Sequence, residues 1–101
     1  MKTVYPIIIT ETKDRKVPYL VYVPDVDLMT QGTSLSDAIE MAKDVISLAG
    51  IEGEITKPSD MNDIDVKCSP WYGEEGTCNE FKTLVTIDIE LYRQKYNNKF
   101  S

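Results

Sequence analysis

The hydrophobic positions change period along the chain, and each change marks an element. Residues 4–10, Val-Tyr-Pro-Ile-Ile-Ile-Thr, form a β-branched apolar run that reads as a strand. Pro6 puts its donor-free side near an edge or at the strand's start. The polar run Glu11 to Pro18 is a hairpin connection. Tyr19 to Val23 then alternates, with Tyr19, Val21 and Val23 on one face and Leu20 and Tyr22 on the other. Both faces are apolar, so a helix is expected over one and a second cover, a subunit partner, over the other. Pro24-Asp25 ends this strand, because proline lacks a ladder donor and aspartate bonds its own backbone two residues on. Leu28 to Gly32 is a short third strand.

From Leu35 the period becomes 3.6: Leu35, Ala38, Ile39, Ala42, Val45, Ile46 and Ala49 share one helical face. Ser34 stands at the N-cap, with Asp37 three residues on in a capping-box-like arrangement. Gly50 and Gly53 predict a stop near residue 50. Residues 54–80 read as a long loop, with a helical turn started by Ser59 and a Ser69–Gly76 stretch that carries Trp71 and Tyr72. Phe81 to Glu90 alternates again as a last strand, with Phe81, Thr83, Val85, Ile87 and Ile89 on one face. Because strand–helix–strand crossovers in one sheet are right-handed, this strand is expected to lie parallel in the sheet. The aromatic strand residues are assigned to the core or a subunit interface, and Met29 and Met41 to the core.

The reading is one α+β domain over residues 1–101: β-β-β-α over 4–50, the loop, then a last strand and short C-terminal helix over 81–96. Its composition, 42% hydrophobic and 28% charged, is that of an ordinary globular chain. No apolar run approaches the roughly 20 residues that span a bilayer, and the N-terminal stretch is too short for a secretory signal. A cytoplasmic protein is expected.

Charge changes the picture more. Residues 21–90 carry fifteen acidic and four basic side chains, between weakly basic ends, within a net charge of −6. Phosphate backbones are bound by neutralising them with Lys and Arg, so direct nucleic-acid binding is not expected. A basic protein would instead be attracted. The plainer alternative is that the acids only keep the chain solvated. Tyr5, Tyr19, Tyr22, Trp71, Tyr72 and Phe81 could stack bases, but they lack interleaved Lys and Arg.

There is no histidine. That removes the commonest general base and neutral metal ligand, and with it the usual triads. Cys68 and Cys78 are separated by nine residues with no Cys-x-x-Cys spacing, so a free thiol pair is expected, with no metal and no cofactor.

In order and spacing, Tyr5-Pro6-Ile7-Ile8-Ile9, Val23-Pro24-Asp25, Thr30-x-Gly32 and a helix with Asp37-Ala38 and Met41-Ala42 resemble the HicB-like antitoxin family. Pro58-Ser59-Asp60 and the segment from Val85 to Tyr96 extend the resemblance. It implies a partial ribonuclease-H-like sheet with one helix on one face. It also implies an antitoxin that occludes a small basic ribonuclease toxin of the HicA type and associates with itself as a homodimer or higher oligomer. Residues Leu91 to Ser101 are too few for the helix-turn-helix or ribbon-helix-helix domain of many members, so no separate DNA-binding domain is expected here.

Active ribonuclease-H-like enzymes hold two metal ions in clustered carboxylates. Asp25, Asp27, Asp88 and Glu90 are the candidates, but Asp25 suits a turn, Asp88 and Glu90 suit a solvent face, and the first strand has no central carboxylate. No catalytic residue is assigned. Partner binding is assigned to Asp25, Asp27, Glu40 and Asp44 for charge matching, and to Trp71 and Tyr72 as anchors. An orphan self-associating scaffold without a toxin is the alternative.

Overall fold

The computed structural model describes residues 2–51, 53 and 57–100, with side chains through Lys95. Strands β1 (Lys2–Thr12), β2 (Tyr19–Val23) and β3 (Leu28–Gly32) lead into helix α1 (Leu35–Ile51). Strand β4 (Thr77–Asp88) and helix α2 (Ile89–Phe100) follow a long connection. The sheet order is β3-β2-β1-β4, and every neighbouring pair is antiparallel.

Helix α1 starts where expected. The Asp37 N–H donates to Ser34 Oγ at 3.1 Å, and the Asp37 carboxylate reaches back to the Thr33 N–H at 2.9 Å, one residue before the cap. Its inner face, Ala38, Ala42 and Ile46, packs on Tyr5, Ile7 and Ile9 of β1, Val21 and Val23 of β2, and Val85 and Ile87 of β4. Small residues let the helix approach closely. A Cβ on Gly32 would lie 2.4 Å from the Ala38 backbone nitrogen, so glycine is required where β3 passes under the first turn. Leu35, assigned to the same face, is exposed at its outer edge.

The last strand corrects the expectation of parallel pairing: β4 runs antiparallel to β1, with Tyr5 opposite Val85 and Ile9 opposite Phe81. The crossover rule assumes that the helix alone returns the chain to the sheet. Here α1 carries it from the β1–β2 hairpin end to the far end, and residues 57–76 carry it back across the opposite face. The strand therefore starts at the hairpin end, where the Lys13 N–H meets Gly76 O at 2.8 Å.

That return segment, a strap, lies over the second face, where a subunit was expected. Two 3-10 turns, Met61–Asp63 and Val66–Cys68, are capped by Asp60 and Asp65, whose carboxylates accept the N–H groups of Asn62 and Lys67 at 2.9 Å each. Asp60, rather than Ser59, starts the first. Beneath the strap, Ile8 and Thr10 are fully buried. The Lys82 ammonium rises from β4 to the carbonyls of Met61 and Ile64 at 3.0 and 2.8 Å, and Thr10 donates to Glu80 at 2.7 Å. Residues 54–56 of the expected loop lie outside the described residues.

Pro6 sits where β1 has β4 on one side and no β2 residue on the other, since β2 pairs only with Ile8 to Glu11. The edge expectation thus holds locally on an otherwise central strand. Two core assignments fail: Met29 is 55% exposed and Met41 37%. Met29 lies on the outermost strand, on the face away from α1, and Met41 on the outward side of the helix.

Candidate functional site

The six residues assigned to partner binding do not converge on one site. Asp25 and Asp27 stand in the β2–β3 turn. Asp25 is turned inward and accepts from both the N–H and the hydroxyl of Ser59, tying the strap's start to the turn. Asp27 is exposed with φ of 50°, a left-handed conformation that a short carboxylate side chain tolerates. It accepts the Tyr22 hydroxyl at 2.7 Å. That bond, then burial, pushes the Tyr22 phenol up to about 12. Burial first, then the Asp25 charge, raises the Tyr5 phenol as well.

Glu40 and Asp44 project from α1 into a groove of about 390 Å³ between α1 and α2. Asp88 lies on its floor, but Lys2, Lys43 and Lys95 line it too, and Lys43 stands 3.5 Å from Glu40. The groove is close to neutral as a whole. An exposed pair of this kind contributes little energy.

Trp71 and Tyr72 lie on the strap, across the sheet from α1. Trp71 is half-buried in a shallow cleft with Val17 and Leu20, whereas Tyr72 is 48% exposed. Around them is a feature that the sequence reading left in a loop. Asp60, Asp63, Asp65, Glu74 and Glu75 of the strap are all exposed, against exposed Lys57 and Lys67. Lys82 is withdrawn to backbone carbonyls beneath. Two of the five, Asp60 and Asp65, are there because each 3-10 turn takes its capping carboxylate from the residue before it. The run of Asp60, Asp63 and Asp65 was the available signal.

Cys68 and Cys78 are both free and exposed. Among the described residues, no three Asp, Glu or Cys side chains gather as a metal site would require, and no helix is long and apolar enough to cross a membrane. Asp88 caps α2 by accepting the Leu91 N–H at 3.1 Å, an engagement the sequence reading did not assign.

No protein-family model matches the sequence. No curated protein matches it. Among solved structures, a chain of a "Toxin-Antitoxin complex from Streptococcus pneumoniae" is similar, with a TM-score of 0.69 and 25% sequence identity over 91% of this chain and 73% of that one. The antiparallel four-stranded sheet with its two helices is therefore similar in fold to a component of a toxin–antitoxin complex.

Proposed function

We propose that the protein is the antitoxin of a toxin–antitoxin pair, a non-enzymatic module that binds a small basic ribonuclease toxin of the HicA type and covers its RNA-binding surface. The observation that carries this reading is the similarity over 91% of the chain to a component of a toxin–antitoxin complex. The HicB-like order of motifs and the acidic body support it.

Of the two surfaces that carry the assigned acids, the strap is the better dock. Five exposed carboxylates against two exposed lysines attract a basic surface at long range. Tyr72 among them offers an aromatic anchor of the kind that concentrates binding energy. The groove between α1 and α2 sets three acids against three lysines, so Glu40 and Asp44 contribute less. Asp27 borders the strap side and adds its charge. Asp25 acts indirectly, by holding the strap in place.

The test is an affinity pull-down of the tagged chain, in its native host's lysate, at low and then raised salt, with mass spectrometry of the eluate. A small basic protein encoded beside this gene, released by salt, is the expected result. Recovery of the chain alone while that neighbour is expressed would favour the orphan scaffold.

A further inference from the structure

We propose that a second copy of this chain pairs with the outer edge of β4, antiparallel and about a twofold axis at Val85, so that two four-stranded sheets become one of eight.

The edge is unusually open. Strand β4 is 12 residues long and ends the sheet, whereas the opposite edge strand, β3, has 5. Proteins block such edges with proline, bulges or outward lysines. No proline lies between Thr77 and Asp88, and the register shift against β1 falls at its first residues, opposite Glu11 and Thr12. The one lysine, Lys82, is drawn back onto the strap carbonyls. Among the described residues, no backbone hydrogen bond reaches residues 78–87 from outside the sheet.

Pro6 reveals which groups the edge presents. It stands opposite Leu84 and has no N–H, so this pair exchanges no N–H bond from β1 to β4. By the alternation of an antiparallel ladder, the N–H and C=O of Lys82, Leu84 and Thr86 then point away from β1.

Charge selects the register. Both copies keep their helices on one side only if like-facing residues pair, which leaves axes at successive residues of β4. An axis at Lys82 opposes two lysines, and one at Leu84 opposes Glu80 to Asp88. An axis at Val85 opposes no like charges and sets Leu84 against Thr86 twice, with Val85 facing its copy. An axis at Phe81 or at Thr83 opposes no like charges either, but sets Leu84 against Cys78 or against Lys82. The Val85 axis brings the exposed Leu84 and Val4, 48% and 43% accessible, together with their counterparts on one surface.

The proposal does not depend on the antitoxin reading, and its test uses no toxin. In a Cys68→Ser/Cys78→Ser background, one chain carrying Leu84→Cys and another carrying Thr86→Cys are mixed and mildly oxidised. A cross-linked dimer of the mixture, much weaker for either chain alone, is expected. Light scattering of the native chain should give twice its 11.5 kDa mass. Leu84→Lys/Thr86→Lys, which sets like charges directly opposite, should give a monomer with an unchanged circular dichroism spectrum. A native monomer, a lysine variant that remains dimeric, or a dimer without the mixed cross-link would each overturn the proposal. The cross-link decides even if the lysine variant misfolds.

Discussion

The Asp25 carboxylate accepts two hydrogen bonds from Ser59, thirty-four residues away, and so fastens the strap across the face of the sheet that α1 leaves bare. A single turn residue thus connects the β2–β3 hairpin to the chain's return path. It also adds its charge to the environment of the buried Tyr5 phenol.

Removing that connection should loosen the strap without dissolving the sheet. Hydrogen bonds to a charged acceptor are worth about 1.5–3 kcal/mol, so Asp25→Ala should lower stability in urea unfolding by about 2–3 kcal/mol. Ser59→Ala keeps the backbone donor and should lose about 1 kcal/mol. Hydrogen exchange should accelerate first at residues 59–68.

Gly32 tests the opposite face. A methyl there would lie 2.4 to 2.8 Å from the backbone and Cβ of Ala38, and a helix backbone cannot yield as a flexible side chain would. Gly32→Ala should therefore cost about 3 kcal/mol, the upper part of the overpacking range. Gly73→Ala, with open space around it but φ of 77°, should cost less, as strain at one residue. Thermal unfolding of the two variants gives the comparison.

The Tyr22–Asp27 bond predicts an alkaline dependence. The folded phenol titrates near 12 against an ordinary 10.0, because Asp27 holds the hydroxyl proton. A raised folded value means that the contribution is fully present below pH 10 and is lost as pH rises towards 12. Unfolding midpoints followed across this window should fall more steeply in the native chain than in Tyr22→Phe.

Most of the sheet and helix could be read from the sequence, since period and capping are local. Strands 19–23 and 28–32 and the Ser34 cap lie where alternation and side-chain chemistry put them. The direction of β4 was not legible, because it depends on the path of residues 57–76, which have no period. The same segment is what lies over the second apolar face that Ile8, Leu20 and Tyr22 make. Site residues were harder still. Glu40 and Asp44 are four apart on an exposed helix side, as their spacing implies, but of the three lysines that offset them only Lys43 is on the same helix, and Lys2 and Lys95 come from β1 and α2. Asp25 reads as a turn residue, and its bond to Ser59 is a tertiary fact.

The strap and the groove make different predictions. Asp63→Lys/Glu75→Lys alters exposed strap positions and should slow association with a basic toxin by about tenfold or more at low salt, with the difference shrinking as salt rises. Glu40→Lys/Asp44→Lys should have a smaller effect, because the groove already contains three lysines. Surface plasmon resonance at several ionic strengths separates the two.

The most direct measurement is a titration of RNA cleavage. The small basic protein that the pull-down is expected to recover is purified and RNA cleavage by it followed as this chain is added. The account predicts that cleavage stops at a fixed stoichiometry, and that Asp63→Lys/Glu75→Lys requires more protein to reach the same inhibition. Cleavage that continues unchanged at a large excess of folded protein would contradict it.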